Sequence, residues 1–169
     1  MLSISRLTGF YQFITCNLNH LGEWLPQLFL RFILAWEFGE AGFEKLHGSN
    51  WFADISFPFP FNLLPPDISW NMATYFEIFG AFALALGIAT RFFTLTLIIL
   101  TIVAIAAVHW PEQWNTLSEL LTGYRISDKE GDGFGNYKLP LLYLVMLLPL
   151  LLKGAGKVSL DHLLKGYFK

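Results

Sequence analysis

Residues 92–108 read FFTLTLIILTIVAIAAV, a run in which threonine is the only polar side chain. A helix rises about 1.5 Å per residue, and about 17–25 apolar residues cross the hydrocarbon of a bilayer. Threonine hydroxyls inside such a run bond back to carbonyls one turn earlier and do not oppose it. The rest of the chain agrees with a membrane setting. Charged residues make up 14% of the 169, against about 25% in soluble domains, and mean hydropathy is +0.49. A soluble fold of this composition would leave large apolar patches in water. The net charge of −2 offers no basic face, so nucleic acid is not expected as a partner.

The expected fold is all-α: one integral membrane domain over residues 1–169, a four-helix bundle with short amphipathic helices at both ends. Spans are predicted near 26–45, 71–89, 91–109 and 137–153. The second and third form a hairpin through a short turn at Thr90. In the fourth, Pro140 suits a first turn, whereas Pro149 should kink or end the helix. Leu7, Phe10, Ile14, Leu18 and Leu21 recur at helical spacing, which predicts an amphipathic helix in the bilayer interface or on a partner protein. The tail KVSLDHLLKGYFK gives a second such segment, with Ser159 as its N-cap.

Basic residues set the orientation. Arg6, Arg91, Lys153, Lys157, Lys165 and Lys169 fall on one side; Lys45, Arg125, Lys129 and Lys138 fall on the other, among acids. Both termini are therefore placed in the cytoplasm, in a bacterial inner membrane crossed several times. The first outer loop, WFADISFPFPFNLLPPDISW, alternates Phe and Pro and favours an extended path across the outer mouth of the bundle. Trp51, Trp70, Trp110 and Trp114 read as an aromatic belt. The only cysteine is Cys16, so no intrachain disulfide and no CxxC pair exist, which excludes dithiol–disulfide membrane oxidoreductases. Nor does the N-terminus read as a cleavable signal.

The first span carries an unusual load of charge. Glu37, Glu40 and Glu44 fall within roughly 60° of one another around the helix and form an acidic stripe in its outer half. Arg31 points about 180° from Glu40 and lies about 13 Å deeper, so it either snorkels to headgroups or pairs with another helix. Ala35, Gly39 and Gly42 form a small-residue face opposite the glutamates, suited to close helix packing. Glu77, His109, His47, Lys138 and Tyr137 are expected at a similar depth. An ionisable cluster inside a membrane is a functional-site candidate; a purely structural polar network is the alternative, with Glu44 and Lys45 in the headgroup zone. The candidate ligand, proton or metal pocket is Glu37, Glu40, Glu44, His47, Glu77, His109 and Lys138. No cofactor is evident; a quinone or a divalent metal are the open choices. A Cu(I) site would want Cys or Met, and Met72 is the one outer-side methionine. The turn DKEGDG, Asp128 to Gly133, begins like a calcium loop, but Leu139 stands where the twelfth-position Glu belongs. His47 and His109 form no pair at mid-membrane that would ligate haem.

The segments RFILAWEFGEAGFEKL, FEIFGAFALALGIATRFF and GAGKVSLDHLL resemble the DoxX family of small four-span membrane proteins from about Leu28 to Leu164. The most specific pieces are Gly87 to Arg91 and Gly154 to Asp161. The resemblance implies a membrane subunit or accessory protein linked to redox metabolism. Some relatives belong to a thiosulfate:quinone oxidoreductase, and others associate with oxidative-stress or quinone-detoxification systems. One subgroup with long outer loops, which this chain resembles, is encoded with maturation proteins for copper-binding modified peptides. The expected function is thus an accessory component of a redox or metal/oxidative-stress pathway with a polar pocket in its outer half. A quinone-linked oxidoreductase subunit and a small proton- or metal-coupled transporter are the alternatives. Expected partners are the lipid bilayer, a second copy of the chain, and a redox or maturation protein.

Overall fold

A computed structural model of the chain describes residues 4–111, 116–118 and 136–165. The Asp128 to Gly133 turn, Trp114, Arg125, Lys129, Lys169 and the side chains of Arg6 and Leu7 lie outside the described residues. The described residues are helical throughout their regular structure: α1 (Ile4–Gly22), α2 (Leu25–His47), α3 (Pro66–Leu86), α4 (Thr90–Ala104), α5 (Lys138–Lys153) and α6 (Leu160–Lys165). A π-helical turn, Ile105–His109, extends α4. Together these form a helix, Thr90–His109, that is long and apolar enough to cross a membrane; among the described residues no other helix meets that measure.

Each long helix buries a stripe at helical spacing. In α2 the buried residues are Gln27, Arg31, Leu34, Phe38 and Gly42; in α4 they are Thr90, Thr94, Leu97 and Thr101. Leu34 and Phe38, Ala81 and Leu84, Leu97, and Leu147 and Leu150 meet in one core supplied by α2, α3, α4 and α5. The opposite faces carry large exposed apolar side chains, among them Phe32, Trp36, Phe79, Phe82, Ile102 and Val145. The small-residue face of α2 packs on α3 as its spacing predicts. A Cβ at Gly42 would lie 2.7 Å from Ile78 Cγ1, and one at Gly39 3.5 Å from the Ala81 Cβ. No larger side chain fits at Gly42 without pushing the two helices apart.

Local chemistry explains where the helices stop. Pro66 opens α3 with its preset φ and missing N–H. Gly87, at φ +66°, closes α3 three residues earlier than the predicted 89. Its N–H donates to Leu84 O and that of Ile88 to Ala83 O, the paired bonds of a Schellman ending. Pro149 does not end α5, which continues to Lys153. Ser159 caps α6, its Oγ accepting the His162 N–H at 3.2 Å.

The structure decides the fate of Arg31. It is 2% exposed and does not snorkel. Its Nε donates to Leu84 O (2.7 Å) and Nη2 to Ala85 O (2.8 Å), both in the last turn of α3. Nη1 donates to Ala155 O (2.9 Å) and Val158 O (2.6 Å) in the segment after α5. A guanidinium suits this place because its planar donors reach several carbonyls at once, and because the end of a helix presents unpaired carbonyls with partial negative charge. Beside it, Asp161 caps α4. Its two carboxylate oxygens accept the N–H groups of Ala89 (2.8 Å) and Thr90 (2.9 Å), while its own N–H donates to Gly87 O. The Gly87–Arg91 and Gly154–Asp161 motifs therefore form one joint around Arg31.

α1 stands apart, with Phe10, Tyr11, Phe13 and Leu18 each at least 60% exposed. An ion pair between Lys157 and Glu23, in the turn before α2, lies outside these packed helices. It holds the Glu23 carboxyl below the usual carboxylate range. The pair therefore contributes above that range and is lost as pH falls through the lowered value.

Candidate functional site

At the end of the molecule away from Arg31, the four core helices and the α2–α3 loop line a half-open cavity of about 580 Å³. Its size falls within the range of roughly 300–1,000 Å³ that small-molecule sites occupy. One wall is acidic. Glu37, Glu40 and Glu44 come from successive turns of α2, Glu77 comes from α3, and His109 sits at the end of the π turn after α4. The π turn is wider than an α turn and changes the direction of the side chains that follow it.

Two interactions fix this wall. Lys45 Nζ donates to both oxygens of Glu77, at 3.0 and 2.8 Å, and ties α2 to α3. The Glu77 side chain is only 4% exposed, so the ammonium matches a carboxylate otherwise sealed in apolar surroundings. Tyr143 of α5 donates its hydroxyl to Glu37 and packs its ring on Phe38 at 5.6 Å. Glu40 and Glu44 are exposed and, among the described residues, make no hydrogen bond or ion pair.

The facing wall is aromatic. The α2–α3 loop contributes Trp51, Phe52, Phe57 and Phe61 to the lining. Phe52 is buried between Trp70 (ring centroids 5.0 Å) and Phe57 (4.9 Å), and Trp51 packs edge-on against Trp70. The loop thus lines the cavity, but not by the extended path expected of its Phe-Pro alternation: Phe52–Asp54 and Phe61–Leu63 are 3-10 turns, and Pro58 O accepts the N–H groups of Phe61 and Asn62. Trp70 is 8% exposed, which removes it from an aromatic belt: it holds the loop in place.

Of the predicted pocket residues, Glu37, Glu40, Glu44, Glu77 and His109 line this one cavity. His47 does not; it is exposed, and its ring Nδ1 lies 2.8 Å from Phe43 O. Lys138 is buried at the start of α5, also outside the lining. Lys45, expected at the headgroups, turns inward to Glu77. Lys45 and Tyr143 were not candidates on sequence. Lys45 lies 100° round the helix from Glu44 and so drops out of the acidic stripe. Tyr143 stands in an apolar run with nothing to mark it. Among the described residues no group of three or more His, Cys, Asp or Glu converges to hold a metal ion.

The DoxX family model matches residues 27–110. An uncharacterized protein of Haemophilus influenzae is 45% identical over 152 residues, which cover 89% of this chain and 90% of that protein. This chain belongs to the DoxX family. No solved structure matches it. Within this DoxX protein the family match spans α2, α3 and α4, and so holds the acidic wall, Lys45, the aromatic loop and His109. Tyr143 and the Gly154–Asp161 segment lie beyond the match, although the resemblance read from the sequence extends to Leu164. DoxX membership makes the chain a membrane protein, in keeping with the apolar Thr90–His109 helix.

Proposed function

We propose that this DoxX protein is a four-span accessory component of the bacterial inner membrane in a redox or oxidative-stress pathway, and that its cavity binds an amphipathic small molecule. The observation that carries the reading is the cavity itself: an apolar and aromatic enclosure with carboxylates along one wall, braced by Lys45–Glu77 and Tyr143–Glu37. The spans are α2, α3, α4 with its π turn, and α5, whose outward faces carry the exposed apolar side chains. With both termini in the cytoplasm the cavity lies in the outer half of the bilayer, and α1 lies in the inner interface. An intramembrane charge costs roughly 2.5–3.5 kcal/mol on insertion scales, so the carboxylates need a use or a partner, and Glu40 and Glu44 have no partner among the described residues. Anionic substrates such as thiosulfate suit this wall poorly. A metal reading would need donors drawn together from their present positions, and Met72, the methionine in the lining, has no cysteine beside it for Cu(I).

A quinone-linked oxidoreductase subunit is the second reading, favoured by the aromatic loop over the cavity; a hydroquinone would donate its hydroxyls to the carboxylates. Organic extraction of the purified protein, with an absorption spectrum for flavin and haem, separates the two. The third reading, a small transporter, would need two copies of the chain.

Two outcomes are expected. In intact cells an impermeant thiol reagent modifies cysteines placed within 55–65 and leaves Cys16 untouched; modification of Cys16 reverses the orientation. In a deletion strain, Glu40→Gln inserts and folds normally but fails to restore the wild-type phenotype, because glutamine keeps the shape and loses the charge. Full complementation by Glu37→Gln, Glu40→Gln and Glu77→Gln, singly and together, would leave the acidic wall with an architectural role only.

A further inference from the structure

The walls of the cavity distinguish among amphipathic ligands by charge. We propose that the site takes lipophilic organic cations: molecules with a ring-bearing apolar body and one positive centre, of the substituted ammonium or phosphonium type. This rests on the reading of the cavity as a binding site and names the ligand class for it.

Three observations point to a cation. The first is the disposition of donors. Lys45 spends its three N–H bonds on Glu77 Oε1, Glu77 Oε2 and, at 3.5 Å, Ala41 O. The Tyr143 hydroxyl is given to Glu37. These two donors are committed, which leaves a neutral acceptor such as a quinone carbonyl the Ser69 hydroxyl, a lining group with no hydrogen-bond partner among the described residues, and no cationic donor. The second is the pair of partnerless acceptors. Glu40 and Glu44 stand one turn apart on the same face of α2, about 6 Å from each other, and both side chains line the cavity. Two carboxylates at that spacing can flank one positive centre; both are exposed, so they set the sign of the ligand while the apolar and aromatic lining takes up its body. The third is the aromatic lining. Trp51, Phe57 and Phe61 border the same cavity, and aromatic rings attract cations and take up apolar surface. The cavity makes this a site; the carboxylates and rings set the sign of what it holds. An anion of the same shape meets the same apolar surface but is repelled by Glu40 and Glu44.

Tetraphenylphosphonium and tetraphenylborate have nearly the same shape and opposite charge, which makes them a direct test. The full-length protein in lipid nanodiscs is titrated with each, with empty nanodiscs subtracted, and with a short-chain ubiquinol as a neutral probe. Saturable binding of the phosphonium without saturable binding of the borate is expected. Glu40→Gln/Glu44→Gln is expected to weaken the phosphonium by about tenfold or more, and Phe57→Leu by a smaller factor. Neither glutamate holds a structural bond, so the double variant should fold, which a thermal unfolding curve in the same nanodiscs verifies. A second variant, Glu40→Lys/Glu44→Lys, should reverse the preference toward the borate. Equal binding of the two ions, or phosphonium binding indifferent to both double variants, overturns the proposal. Saturable binding of the ubiquinol alone also overturns it and leaves the binding-site reading standing. No saturable binding of any probe removes both.

Discussion

Arg31→Met is expected to destabilise the folded protein by about 2–4 kcal/mol, because buried carbonyls lose their donor. The methionine fills the space but supplies no donor. The Leu84, Ala85, Ala155 and Val158 carbonyls, which now accept from the guanidinium, lose it together. Leu84 O keeps the Gly87 N–H and Val158 is half-exposed, so the cost falls mainly on Ala85 O and Ala155 O at about 1–3 kcal/mol each, and relaxation of the 155–158 segment returns part of it. Arg31→Lys should recover only part of the loss, since one ammonium cannot reach carbonyls on two sides of a planar fork. Thermal unfolding in detergent gives the magnitude. Hydrogen exchange at Gly154–Asp161 gives the location, with faster exchange there than in α4. An unchanged melting curve, or exchange raised equally everywhere, would show that the guanidinium is not what fastens this segment.

Lys45→Met should cost about 3 kcal/mol or more for a different reason. It strands Glu77, a 4% exposed carboxylate, without its countercharge. Pairing it with Glu77→Leu removes the charge that was stranded, so the double variant Lys45→Met/Glu77→Leu should be more stable than Lys45→Met alone. The coupling energy from the four-protein cycle should reach about 1–3 kcal/mol. Simple additivity of the two single changes would mean that the pair, though close, does not brace α2 against α3. The double variant also keeps Glu40 and Glu44, which separates loss of the brace from loss of the acidic wall in any binding measurement.

The helices were legible in the sequence because apolar periodicity and hydrocarbon thickness are local properties. α2, and α4 together with its π turn, match their predicted limits within two residues, and Gly39 and Gly42 announce the close contact with α3. The acidic stripe was legible too, since i, i+3, i+7 spacing fixes one wall whatever else surrounds it. What escaped depends on contacts between segments far apart in the chain. Nothing near Lys45 says that Glu77, thirty-two positions on, will meet it. Nothing near Tyr143 names Glu37. His47 shows the opposite error: it follows the stripe in sequence, yet the end of α2 leaves it exposed. Trp70 reads as a membrane-interface residue by type, but ring packing with Phe52 and Trp51 draws it inside. In lipid such packing matters more than apolar burial, because the surroundings are already apolar.

The joint around Arg31 has a consequence for the order in which the protein is made. Chains emerge from the ribosome N-terminus first. Arg31 is therefore synthesised more than a hundred residues before Ala155 and Val158, and the first turn of α4 long before Asp161. Until those residues arrive, an arginine waits with half its acceptors missing and the Ala89 and Thr90 N–H groups wait uncapped. A nascent chain thus holds its helices in a provisional arrangement, and a product broken off before residue 155 retains an unsatisfied cation among apolar helices. Translation of residues 155–161 supplies the missing carbonyls and the cap of α4, and converts that arrangement into the finished one.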